Sequence, residues 1–145
     1  MLTKNSIVST LLPVAIVVGA SVAYGQNASD YPLTPIHFPA GKSSATISDG
    51  VERGASATYS FGAKAGQKAE IVLSSVENNG VFSIYLPGAA TKTGDSGIDV
   101  QGPTIAGTDA GVTKWSGDLP KDGNYIILVA GTRGNVDYDL KISIH

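Results

Sequence analysis

The sequence contains no cysteine. A disulfide framework, a thiolate nucleophile and a lipidated cysteine are all excluded, so stability has to come from a packed core. Histidine is nearly as scarce. His37 and His145 are the two present, and neither stands in a HExxH or comparable metal spacing. Both read as structural or solvent-facing residues. No serine sits in a GxSxG elbow. Apolar residues never hold helical spacing over ten positions, which excludes an amphipathic helix. Cations are outnumbered, with 10 Lys+Arg against 12 Asp+Glu and a formal net charge of −2. That balance argues against nucleic acid or an anionic membrane face as partner and is compatible with a basic protein.

One long apolar run is present, from Ile7 to Gly19, with Lys4 before it and Ser21-Val22-Ala23 after it. This is the layout of a secretory signal peptide over residues 1–23, with cleavage after Ala23 or Gly25. Pro13 breaks the run, which is shorter than the roughly 20 residues of a membrane span, so no membrane anchor is expected. Loss of Lys4 with the leader makes the mature chain one charge more acidic. The remaining ~120 residues are the size of one domain able to bury its own core.

Residues 24–39 form a Pro-rich lead-in with an edge strand at most, Ile36 and Phe38 being the first residues to reach the core. From residue 40 onward the pattern is that of strands. Ala45, Ile47 and Asp49 alternate with Ser44, Thr46 and Ser48. Ala57, Tyr59, Phe61 and Ala63 follow at period two, then Ala69, Ile71 and Leu73, then Phe82, Ile84 and Leu86. Turn sequences at Lys64-Ala65-Gly66-Gln67 and Glu77-Asn78-Asn79-Gly80 predict two hairpins in series, an antiparallel meander. Val112–Ser116 reads as a short strand. Tyr125–Ala130 is apolar on both faces and reads as an inner strand; Val136 to Ile144 alternates strictly, with one buried and one wet face. Residues 87–111 are rich in Gly, Thr and Asp and read as a long loop with one short strand at most. The fold class is all-β: an antiparallel sandwich of about eight short strands in a single domain over 40–145, with a barrel as the alternative.

No constellation carries chemistry. Asp95, Asp99 and Asp109 lack the spacing of a calcium loop. Gly41-Lys42-Ser43 lacks the upstream glycine of a phosphate loop, Ile36 standing in its place, and no helix follows. Neither a cofactor nor a metal site is expected, and the chain does not read as an enzyme. The polar turns Gly41–Ser44 and Gly131–Asn135, with Lys42, Ser43, Ser44, Arg133 and Asn135, are the candidate partner-binding residues. An accessory or glycan-binding module is the alternative, with Trp115 and Tyr85 or Tyr59 as a stacking platform.

Gly41 to Thr46, Tyr59-Ser60-Phe61 with Ala65-Gly66-Gln67, the run Leu119-Pro120-x-x-Gly123-x-Tyr125-x-Ile127-x-Val129, Thr132-Arg133 and the closing Tyr138-x-Leu140-x-Ile142-x-Ile144 together resemble the periplasmic inhibitors of g-type lysozyme. The Leu-Pro-x-x-Gly-x-Tyr element also resembles pre-peptidase C-terminal β-sandwich modules. The first resemblance implies a periplasmic β-sandwich that blocks the lysozyme cleft with loops, without a cofactor. It places Ser43 and Ser44 in or beside one loop and Arg133 in a second, and implies that both engage the same enzyme. After Arg133 this chain runs directly into Gly134-Asn135-Val136-Asp137, where the family tends to have a longer loop with further basic residues.

Overall fold

The computed structural model describes residues 33–145; the expected signal peptide and most of the lead-in lie outside them. The strands are β1 (Thr34–Pro35), β2 (Ser44–Val51), β3 (Ser56–Ala63), β4 (Lys68–Ser75), β5 (Gly80–Tyr85), β6 (Ala90–Gly94), β7 (Gly97–Gln101), β8 (Thr104–Ala106), β9 (Lys114–Asp118), β10 (Gly123–Gly131) and β11 (Val136–Ile144). Sheet A has the order β1-β3-β10-β5-β8, sheet B the order β2-β11-β4-β9, and β6-β7 is a separate hairpin. The all-β sandwich expected from the alternation is what forms.

The two C-terminal strands hold the centres. β10 lies between β3 and β5, antiparallel to both, as its two apolar faces require. β11 lies between β2 and β4, also antiparallel to both, and its burial alternates strictly along its length. Inward residues of both sheets build one core, in which Tyr59, Phe61, Ile71, Phe82, Ile84, Tyr125, Ile127, Leu140 and Ile142 are nearly or wholly sealed. Phe61 stacks on Tyr125 with ring centroids 5.3 Å apart, a geometry worth about 1 kcal/mol beyond area burial.

The meander does not form. β3, β4 and β5 are strands as expected, but β4 belongs to sheet B and its sequence neighbours to sheet A, so both turns cross between layers. Gly80 shows why at the second turn. It does not supply a positive φ; Asn78 does, with φ 50°. A Cβ on Gly80 would stand 2.8 Å from Leu73 Cδ2 and 2.9 Å from Val136 Cγ1, so the glycine serves the close passage of the chain from one sheet to the other. At the first turn Gly66 N donates to Leu119 O (2.8 Å) and Leu119 N to Gln67 O (2.8 Å). That connection is zipped to the β9–β10 turn instead of closing a hairpin on itself.

The stretch 87–111 is likewise no open loop. It holds β6, β7 and β8, of which β8 extends sheet A beside β5. The β6–β7 hairpin lies against β3, where Ser56 N donates to Ser96 O at 3.2 Å. Its apolar content is low because it covers a sheet already packed on its other face, and Val100 is its one buried large side chain. In the lead-in, β1 pairs parallel with β3 at Tyr59 and Ser60, Ile36 is buried and Phe38 packs on the core, as expected.

Candidate partner-binding surface

Two loops carry the five candidate residues, and strand direction decides where they lie. β2 and β11 are antiparallel, Ser44 opposite Ser143 and Val51 opposite Val136. Ser44 therefore sits beside the last residues of the chain, whereas the β10–β11 turn with Arg133 and Asn135 sits at the far end of the same ladder. Paired strand of that length spans about 24 Å at the usual rise of ~3.4 Å per residue. Lys42, Ser43 and Ser44 are brought together at one end of the sandwich and Arg133 and Asn135 at the other. The two loops therefore do not adjoin, and a contact that took in both would have to span the length of the ladder.

At the first end Lys42, Ser43 and Ser44 are all exposed. Lys42 N donates to Pro39 O at 2.9 Å and Ile144 N to Ser43 O at 2.8 Å. The Ser43 hydroxyl meets His145 Nδ1 at 3.4 Å, the outer limit of a hydrogen bond. The segment is tethered by backbone at its edges, and no side chain within it is buried.

The second end is built differently. Asn79, in the β4–β5 turn, is only 3% exposed. Its side-chain amide donates to Arg133 O and to Asn135 O, each at 3.0 Å, and its own carbonyl accepts from Thr132 N at 2.7 Å and from Thr132 Oγ1 at 3.2 Å. Asn135 Oδ1 accepts from Arg53 N at 2.9 Å, which ties in the β2–β3 turn. Arg133 is exposed, and its Nη2 donates to Glu77 O at 3.2 Å. Among the described residues no carboxylate lies within ion-pair distance of Arg133. Asn135 is thus a tie between turns, and Arg133 is the side chain with donors to spare. Asn79 was read from sequence only as a turn residue; Asn-Asn-Gly announces a turn but not which asparagine is buried.

Two residues further into the same end, a buried polar chain braces the sheets. Tyr59 OH donates to Asp49 Oδ2 at 2.7 Å, and Tyr138 OH bonds to Tyr59 OH. Tyr59 has one proton to give, so Tyr138 must be the donor of the second bond. The chain joins β3 in sheet A to β2 and β11 in sheet B. Burial foremost, and then the bond with Tyr138 and the Asp49 carboxylate, holds the Tyr59 hydroxyl far above its ordinary value; burial pushes Tyr138 up to about 12. Both remain protonated hydroxyls across the physiological range.

Among the described residues no group of three or more His, Asp or Glu is placed to hold a metal ion. The glycan platform is not assembled either. Tyr59 is buried, Trp115 on β9 packs on the core with its ring against Gly117, and Tyr85 belongs to the other sheet.

These features define a class: a two-sheet β-sandwich whose polar turns collect at the sheet ends, one end rigidly tied. No protein-family model matches the chain, and no curated protein matches it. Among solved structures it is similar to PliG of Aeromonas hydrophila, a periplasmic lysozyme inhibitor of g-type lysozyme, at 27% identity and a TM-score of 0.63 over 77% of this chain and 95% of that one. Salmonella Typhimurium PliG, described in the same words, shares the fold at 24% identity and a TM-score of 0.54 over 77% and 96% of the two chains. A mutant of the Escherichia coli protein does so at 22% identity and 0.53, over 77% and 96%. The resemblance read from the Gly41–Thr46 and Leu119–Val129 elements is met by these structures.

Proposed function

We propose that this protein is an exported inhibitor of lysozyme, with the g-type enzyme as its target, acting by steric occlusion of the catalytic cleft and performing no chemistry of its own. The observation that carries the reading is the likeness to Aeromonas hydrophila PliG, at 27% identity and over 95% of that chain. The physical properties agree with it. An acidic chain is steered toward a basic enzyme, which raises the association rate more than the affinity. A loop that enters a cleft loses least when it is already ordered, and the Asn79 tie supplies that order. The leader over residues 1–23 and the likeness to periplasmic proteins favour the periplasm as its location.

The test is residual muramidase activity of g-type, c-type and i-type lysozymes at increasing concentrations of the protein. Inhibition of the g-type enzyme at micromolar concentration is the expected result. If none of the three is slowed, the reading falls; if only the c-type or i-type enzyme is slowed, the class of target is wrong.

A further inference from the structure

We propose that the β4–β5 turn, which opens on the exposed Val76, is the apolar half of a contact surface whose charged half is Arg133. This rests on the inhibitor reading and adds to it a segment that no sequence element pointed to. Val76 is 91% exposed, and among the described residues it is the one large hydrophobic side chain left in that state. A single exposed valine is ordinary on a protein surface. Three observations separate this one from the ordinary case.

First, the turn that carries it is fixed. Asn78 N donates to Ser75 O at 3.1 Å and Gly80 N to Ser75 Oγ at 3.1 Å. Asn78 takes the left-handed conformation, and Asn79 is sealed beneath. Second, the Asn79 amide joins this turn to the β10–β11 turn, and Arg133 reaches back to the carbonyl of Glu77, the residue next to Val76. The valine and the guanidinium, which makes no ion pair among the described residues, are therefore held on two turns tied to each other. Third, Val76 borders a shallow depression of about 450 Å³ whose rim includes Asp137 and Asp139.

Across the two turns the order is cationic at Arg133, beside the exposed Glu77, then apolar at Val76, then acidic at Asp137 and Asp139. That order fits a concave partner with an apolar wall, a carboxylate within reach of the guanidinium and a basic rim. The occupant proposed is the cleft of g-type lysozyme, the target in the inhibitor reading. An ordered apolar turn next to a charge able to form a bidentate pair is the arrangement that concentrates binding energy in few residues.

The experiment measures the inhibition constant of Val76→Glu, Val76→Ser and Val76→Ile against g-type lysozyme, with hydrogen exchange of the parent protein free and in complex. Val76→Glu should inhibit at least about tenfold more weakly, Val76→Ser less so, and Val76→Ile like the parent. All three should melt with the parent, because the side chain is in water. Amides of 75–79 and 132–135 should gain protection in the complex, and those of 42–44 should not. The proposal is overturned if the parent inhibits and Val76→Glu inhibits equally well, or if protection falls on 42–44 and spares 75–79. A parent that inhibits no lysozyme overturns the inhibitor reading and this surface together, an outcome distinct from the other two.

Discussion

The two ends of the sandwich both offer polar, exposed turns, but only one of them is anchored from beneath. Around Ser43 the backbone is held at its edges and the hydroxyl makes one long contact to His145. Around Arg133 a buried asparagine ties the β4–β5 and β10–β11 turns together, and Asn135 adds the β2–β3 turn. Composition cannot separate these ends. What separates them is where a buried amide spends its hydrogen bonds, since an unsatisfied buried amide is costly and a satisfied one fixes everything it touches.

The comparison breaks most directly at Asn79. Asn79→Ala removes two donors and leaves Arg133 O and Asn135 O without them, so unfolding should cost about 2–3 kcal/mol less, read as a clear fall in Tm. Inhibition should weaken as well, because both turns lose their common tie. A variant as stable as the parent would show that the two ends do not differ in the way described.

Arg133→Ala should separate binding from stability. Its guanidinium is exposed and holds one carbonyl, so Tm should hardly move while lysozyme binding weakens by about 2 kcal/mol. Parent-like inhibition would reduce Arg133 to a turn residue.

Alkaline pH tests the brace under the same end. Tyrosine ionises near pH 10 in the unfolded chain, whereas Tyr138 holds its proton until about 12. Between those values the folded state binds more protons than the unfolded one, so stability is whole below about pH 10 and falls as pH rises toward 12. Tyr138→Phe should make that part of the Tm–pH curve less steep without levelling it, because Tyr59 is held higher still. An unchanged slope would remove Tyr138 from the account.

Ser44→Trp is expected to do least. The residue is exposed and lies about 24 Å from the Arg133 turn at ~3.4 Å per paired residue, so g-type inhibition should stay within about twofold of the parent, inside the scatter of neutral contacts. A large loss would move the contact to the opposite end and sink the comparison.

Most strands were legible because burial on one face leaves a period-two trace. Val136 to Ile144 shows it without a break. Alternation tells which face is buried but not which strand lies alongside, so the pairing of β3, β4 and β5 was misread as a meander. The same limit hid the separation of Ser44 from Arg133, which follows only from the β2–β11 register. Residues 87–111 gave a weak signal because a hairpin laid on a finished sheet needs few apolar residues. Asn79 was invisible for a different reason: its neighbours in space, Arg133 and Asn135, are remote in sequence.

The placement of β10 and β11 also sets the order in which this chain can fold. Each sheet receives a middle strand from residues 123–145, so before them the chain offers only the pairs β1–β3, β5–β8, β4–β9 and the β6–β7 hairpin. Assembly waits on distant partners, the slow regime for β proteins. A chain emerging from a ribosome or threading a membrane channel could not complete either sheet until residues 123–145 were free. Deleting those residues would take the centre from both sheets at once.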